Sequence, residues 1–381
     1  MNIIKNILKM VGILISSILI LLVVIGVVFI YSSPQFGGEA TDSQLNQYSK
    51  SSNFKDGRFE NLGGMKMKSL SFMEYVDMTL KFFGKQPGAI PSGIIPVEKI
   101  DSLSLVDYNY KKPKVIWFGH STVLLQIEGK NILLDPMFGE VPAPHEFLGT
   151  PRFNKELPIE IENLPQIDVV IISHDHYDHL DYGSIVKLKD KVKAFYTPLG
   201  VGSHLVEWGI DSSLITELDW WEESTIEDLK FVCTPSQHFS GRGLTDRAAT
   251  LWSSWIVQSK KSNIYFSGDS GYGSHFKQIG DKYGPFDFAM MECGQYNEMW
   301  SEIHMMPRQT VQASKDLRAE VMMPIHWAAF KLALHTWTDP IEKATSSAKE
   351  LGVVISTPRI GQEIIIGDKK RMPQSKWWID I

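Results

Sequence analysis

The sequence predicts an α/β protein, with one globular domain over residues 101–381 behind an N-terminal membrane-spanning helix. Three observations carry this expectation. From Val115 onward, short apolar runs bounded by turn residues alternate with helical patterns, as interleaved strands and helices do. No internal repeat and no second core-sized set of apolar segments divides the chain. The first 31 residues hold an uncharged stretch long enough to cross a bilayer. With 381 residues, 43% hydrophobic and 11% aromatic, the chain has ample material for a large core, and α/β folds of this size commonly form one unit.

The N-terminal run from Val11 to Tyr31 reads VGILISSILILLVVIGVVFIY, without a charge. At about 1.5 Å per residue it spans roughly 30 Å, the hydrocarbon thickness of a bilayer. A secretory signal peptide has a shorter apolar stretch and a small-x-small cleavage site, which Phe29-Ile30-Tyr31 ahead of Ser32-Ser33 does not supply. Lys5 and Lys9 precede the run, and no lysine or arginine follows until Lys50. That asymmetry places the N-terminus in the cytoplasm and the domain on the non-cytoplasmic side, periplasmic or extracellular. Residues 1–31 thus read as a cytoplasmic stub and an uncleaved single-pass signal anchor, with a cleaved segment as the alternative.

Residues 32–100 read as a linker and an amphipathic segment. Ser, Gly, Asn and Gln dominate residues 32–65, a linker composition. Between Ser71 and Phe83, the side chains of Phe72, Tyr75, Val76, Leu80 and Phe83 share one helical face. Two placements are open for that helix: packed on the domain core, or lying on the bilayer surface and guiding a lipid to the site. The run Pro87-Gly88-Ala89-Ile90-Pro91-Ser92-Gly93 then breaks the chain.

Strands are expected at Val115–Phe118, Thr122–Ile127, Ile132–Asp135, Asp168–Ile172 and Leu229–Thr234. More follow at Ser254–Gln258, Asn263–Ser267, Phe286–Met291, Val321–Ile325 and Glu363–Ile366. Helical patterns lie at Gly183–Leu188, Gly202–Trp208, Gln309–Leu317 and Pro340–Leu351. The formal net charge of −6 argues against a nucleic-acid-binding surface. Only two cysteines are present, Cys233 and Cys293, so no disulfide framework exists, though a single bridge between them stays open.

The chemistry concentrates in Ser173-His174-Asp175-His176-Tyr177-Asp178-His179, directly after an apolar run. A strand that delivers His-x-His-x-Asp-His onto a loop is a cradle for zinc or a similar borderline divalent ion. Its alternation lets His174 and His176 reach one ion while Asp178 and His179 reach another. Three further strand ends offer His238, Asp269 (between Gly268 and Ser270) and His326. Seven donors suffice for two metals that each keep a coordination position open for water, as catalytic sites require.

Together with Gly119-His120-Ser121-Thr122 and Asp135-Pro136, these motifs resemble the metallo-β-lactamase superfamily. Glu217-Leu218-Asp219-Trp220-Trp221-Glu222-Glu223, Thr234-Pro235-Ser236-Gln237-His238 and Ile325-His326-Trp327 narrow the resemblance. They are similar to the branch of N-acylphosphatidylethanolamine-hydrolysing phospholipases D, over roughly residues 105–366. The resemblance implies an αββα sandwich with the site at one edge of its two sheets. His174, His176 and His238 would hold a first zinc, Asp178, His179 and His326 a second, with Asp269 bridging both; iron or manganese also suits the donor set. Metal-bound hydroxide would attack the phosphodiester in line, with no protein nucleophile. Tyr177 is expected either to hydrogen-bond a phosphate oxygen or to pack, and His304 to stabilise or protonate the leaving group unless it is a plain surface histidine. Asp175 and Asp181 are left for orienting or structural work. Met306 and Ile303 depart from the family pattern beside His304, which bears on the head group recognised.

The expected function is a membrane-anchored, zinc-dependent phosphodiesterase releasing N-acylethanolamine and phosphatidic acid. The alternatives are a lactonase or other ester hydrolase of the same superfamily, and a non-catalytic membrane scaffold. A phospholipid substrate and the membrane are the expected partners, with a homodimer also open.

Overall fold

A computed structural model describes residues 2–106 and 112–381. Residues 107–111, within the segment that carries the resemblance, lie outside the described residues, as does the side chain of Phe83. Helix α1 (Asn2–Ser32) contains the expected span and begins nine residues before it. After it come α2 (Asp42–Tyr48), the hairpin β1 (Phe54–Lys55) and β2 (Arg58–Phe59), and α3 (Phe72–Phe83). The next elements are β3 (Lys114–Trp117), β4 (Val123–Ile127), β5 (Lys130–Leu134), β6 (Val169–Ile171), α4 (Tyr182–Leu188), β7 (Phe195–Pro198), α5 (Gly202–Glu207) and β8 (Ile215–Leu218). The chain continues through β9 (Glu223–Ile226), β10 (Leu229–Thr234), β11 (Ser254–Gln258), β12 (Asn263–Phe266) and α6 (His275–Tyr283). It closes with β13 (Phe288–Glu292), α7 (Pro307–Asp316), β14 (Met322–Ile325), α8 (Asp339–Leu351) and β15 (Glu363–Ile365).

Two mixed sheets form, ordered β15-β3-β4-β5-β6-β7-β8 and β14-β13-β12-β11-β10-β9. Because side chains alternate along a strand, each strand feeds two apolar layers. Val115 and Trp117 of β3 face the other sheet, whereas Ile116 faces outward. Between the sheets, Leu125, Leu134 and Ile171 join Phe231, Trp255, Phe266 and Met323. On the outer face of the first sheet, Leu124, Leu133 and Val170 pack with Ile185 and Leu188 of α4 and Leu205 of α5. On the outer face of the second, Val232, Ile256 and Tyr265 pack with Phe276 of α6, Val311 of α7 and Ala344 of α8. The result is an αββα sandwich. Most strands buried on both faces read as unbroken apolar runs, which is why they were visible in the sequence; β7, with Thr197 and Pro198, does not and was not expected.

Cys233 lies between the sheets and Cys293 in the outer layer beneath α7 and α8; both are buried free thiols.

Residues 32–65 are not a slack linker. Pro34 O accepts from Trp208 Nε1 at 2.7 Å, Gln35 O from Arg242 Nη2 at 2.6 Å, and the Gly38 amide donates to His204 Nδ1 at 3.1 Å. Tyr48 is fully buried and donates to Glu217 Oε2 at 3.0 Å, and Phe59 is 2% exposed. The polar composition that signals a linker here supplies hydrogen bonds to the domain, and Tyr48, Phe54 and Phe59 form the apolar contacts among them. Nor is α3 a core helix: none of its described residues is buried.

Candidate metal centre

Strands β10, β12, β13 and β14 run in one direction, as do β5 and β6, so their C-terminal ends meet along one edge of the sandwich. Ligands in open α/β sheets bind outside such strand ends. The loop after β6 carries His174 to His179, folded back by His179 and Leu180 amides donating to His176 O. Asp181 ends it by capping α4, its Oδ2 accepting from the Ser184 amide at 2.8 Å. His238, Asp269 and His326 follow β10, β12 and β14. Gly268 lets the Asp269 turn close on this loop: its φ is +55°, and a Cβ there would stand 2.6 Å from Ser173 Cβ.

All seven donors expected from the sequence come together, in two groups. His176 Nδ1 lies 2.9 Å from His174 Nε2 and 3.2 Å from His238 Nε2. Asp178 Oδ2 lies 3.2 Å from His326 Nε2 and 3.6 Å from His179 Nε2. Asp269 stands between the groups: Oδ1 is 3.2 Å from His179 Nε2, and Oδ2 is 3.1 Å from His326 Nε2 and 3.8 Å from His238 Nε2. His304 adjoins them, its ring stacked 5.3 Å from that of His326.

Burial pushes His174 and His238 well below the ordinary histidine range, leaving neutral imidazoles, the form that binds metal. His179 and His326 go the other way. Against the effect of burial, Asp269, Asp178 and Asp135 hold His179 up to about 10, and Asp269 and Asp178 raise His326. The same pairings hold Asp178 and Asp269 well below the usual carboxylate range in spite of their burial. The protein groups alone therefore balance their carboxylates with imidazolium protons, a charge that divalent cations would supply instead. His179 Nε2 and Asp269 Oδ1 face each other at 3.2 Å without a well-directed hydrogen bond and have no other partner among the described residues, as donors facing an ion would. The residues fit a metal centre, and their N/O donor set suits zinc, iron or manganese.

A family model, the β-lactamase superfamily domain, matches residues 130–327, just over half of the chain. The chain belongs to the metallo-β-lactamase superfamily. An uncharacterised protein of Mycobacterium tuberculosis is 37% identical over 333 residues, 86% of this chain and 88% of that one. The N-acyl-phosphatidylethanolamine-hydrolyzing phospholipase D 1 of Caenorhabditis elegans is 36% identical over 229 residues, 57% of this chain and 64% of that enzyme. Among solved structures, an isothiocyanate hydrolase from Delia radicum gut bacteria superposes with a TM-score of 0.52 at 22% identity, over 66% of this chain and 99% of that one. That likeness is one of fold. As a superfamily member, the chain has a hydrolase fold built around divalent metal.

The sequence motifs contain His120 and Asp135 but give them no role at this metallo-β-lactamase site, and Glu292 and Asn61 stand outside every motif. His120, after β3, is fully buried with Nε2 2.9 Å from Asp178 Oδ2. A histidine just past a strand end is the signal that marked His238, and it stood here too. His120 and His326 have left-handed backbones, φ 52° and 68°, and the His326 amide donates to His120 O. Such conformations cost on the order of 1–3 kcal/mol each and persist where the surroundings impose them. Asp135 fixes His179, accepting from Nδ1 at 2.6 Å and from the Ser173 amide at 2.7 Å. Glu292, fully buried at the end of β13, has Oε1 3.2 Å from His304 Nδ1 and 3.7 Å from His326 Nδ1. Asn61 brackets His238 from the N-terminal segment: Nδ2 donates to His238 O at 2.8 Å, and Oδ1 accepts from His238 N at 3.0 Å.

Tyr177 departs from the expected phosphate contact. Its hydroxyl donates to Arg242 O at 2.7 Å, and its ring lies 4.1 Å from the Arg242 guanidinium in a separate groove lined by His145 and Tyr182. Tyr177 points away from its two neighbours on this loop, and His176 and Asp178 take the metal side. Asp175 has a structural role: it accepts from the Gly241 amide at 2.8 Å and from Thr250 Oγ1 at 2.9 Å.

Proposed function

We propose that this chain is a membrane-anchored, zinc-dependent phosphodiesterase of the phospholipase D type. It cleaves N-acylphosphatidylethanolamine to an N-acylethanolamine and phosphatidic acid. The observation that supports this most is the floor and walls of one cavity of about 560 Å³. Its floor is His176, Asp178, His238, Asp269, His304 and His326; its walls are apolar, with Tyr75, Met78 and Phe82 from α3 and Phe239, Trp300 and Leu332 from the domain. A polar, charge-bearing floor under an apolar vault suits a phosphodiester with acyl chains.

His174, His176 and His238 would hold one ion, Asp178, His179 and His326 a second, and Asp269 both. When bound, two ions supply hydroxide at neutral pH and neutralise charge developing on phosphorus. The chain's own residues set the geometry. Asp135 orients His179 from behind through Nδ1, and Glu292 stands 3.7 Å behind His326 Nδ1. Glu292 also engages His304 Nδ1, which leaves Nε2 free to meet a phosphate oxygen or the departing ethanolamine oxygen. The charge asymmetry around α1 supports a domain on the non-cytoplasmic side.

A panel of phospholipids and lactones, with products identified by mass spectrometry, tests the reading. The expected products are phosphatidic acid and N-acylethanolamine, lost on metal chelation. Lactone turnover without phosphatidic acid from any phospholipid would overturn it in favour of an ester hydrolase.

A further inference from the structure

Helix α3 carries a wider apolar arc than the protein covers. At about 100° per residue, Tyr75, Met78, Thr79 and Phe82 occupy one side and line the cavity. Phe72, Val76, Leu80 and Met73 continue the same arc around the helix, and Glu74, Asp77 and Lys81 are confined to a stripe of roughly 60°. Phe72, Met73 and Leu80 are 78%, 70% and 69% exposed. A helix that only packs on a core needs an apolar stripe of about 100°. Here the apolar surface runs unbroken from the cavity out to solvent.

The loop of residues 242–247 links the base of α1, whose side chains are not buried, to the segment just ahead of α3, and a second contact seats α1 on the domain. Phe29, near the end of α1, packs against His145 and the exposed Phe147. Arg242 grips Gln35 just past α1; two residues on, Leu244 is exposed, and Arg247 Nη2 reaches Met67 Sδ ahead of α3. With residues 33–38 bonded to the domain, whatever holds α1 lies against this side of the molecule.

We propose that α3 lies in the interfacial layer of the same bilayer that α1 enters, with Phe72, Met73 and Leu80 among the acyl chains. A lipid then passes from the leaflet into the cavity along one apolar surface without crossing water. The proposal rests on reading α1 as an anchor and not on which bond is cut.

The test uses the full chain reconstituted in phosphatidylcholine–phosphatidylglycerol vesicles, with nitroxides at Phe72→Cys and Leu80→Cys. Reference labels stand at Ile18→Cys in α1 and at Lys260→Cys, whose parent side chain is 82% exposed. Cys233 and Cys293 are buried, which leaves the introduced thiol as the accessible one. Collision with oxygen marks hydrocarbon, and collision with a nickel chelate marks water. The expected result is oxygen-dominated relaxation at positions 72, 80 and 18 and nickel-dominated relaxation at 260. Nickel access at 72 and 80 with position 18 in hydrocarbon overturns the proposal and leaves the anchor standing. Shielding of 72 and 80 from both reagents overturns it by placing another protein surface on α3. Water at position 18 removes the anchor and the proposal with it.

Discussion

Asp269 is the residue on which both donor groups depend, with one carboxylate oxygen 3.2 Å from His179 and the other 3.1 Å from His326. Asp269→Asn keeps the shape but removes the charge. Hydrolysis is expected to fall at least a hundredfold, with bound metal dropping below the wild-type count while circular dichroism stays native; retained activity would refute the shared role. Outer partners of metal ligands typically contribute 10–100-fold to affinity or activity. Glu292→Gln is accordingly expected to lower kcat by about 10–100-fold with a smaller change in KM, since the carboxylate holds His304 and faces His326 rather than touching lipid. An unchanged kcat would confine Glu292 to packing. The protons on the ligands give a pH dependence of definite sign. His179, held up to about 10, and His326, raised above its ordinary value, must lose protons before binding metal. Metal affinity is therefore expected to rise with pH from 7 towards 10, with protons released on loading, as isothermal titration in buffers of different ionisation enthalpy would record. Affinity that is flat over that range would contradict the assignment of those protons.

At the scale of elements, legibility followed unbroken apolar runs: β7, buried throughout, reads Phe195-Tyr196-Thr197-Pro198 and was missed. Strands β5, β6, β10, β12 and β14, which end at ligands or their partners, are buried on both faces and so read as continuous apolar runs. β8 and β9 at the sheet edges are half exposed and carry Glu217 and Glu223, and α6 has only Phe276 and Ile279 as strong apolar periodicity, so none of the three stood out. The seven donors were legible because side-chain chemistry and strand-end position survive in one dimension. Glu292 and Asn61 were not, and His120 was visible only as part of a motif, since their roles depend on which strand end or segment folds beside which. The N-terminal segment is the largest such case. Asn61→Ala strips partners from the His238 amide and carbonyl and from Trp252 Nε1. An unsatisfied buried group costs about 1–3 kcal/mol. Reduced stability in urea together with weakened metal binding is expected; weakened stability alone would place Asn61 in the scaffold and not at the centre.

For the whole molecule, the sandwich holds its donors on loops from both sheets, so metal acts as a fastener across the core. An ion present at 100 times its Kd stabilises by about 2.7 kcal/mol, which in a domain of this size corresponds to a Tm shift of roughly 5–10 °C. Chelation is expected to lower Tm by that order, and a Tm indifferent to chelator would argue against a structural share for the metal. The central claim, hydrolysis at phosphorus by a two-metal centre, is tested most directly with N-acylphosphatidylethanolamine in ¹⁸O-labelled water. The account predicts phosphatidic acid carrying one ¹⁸O in its phosphate and N-acylethanolamine carrying none. Label in the released alcohol, or in a freed fatty acid with no phosphatidic acid formed, would contradict it.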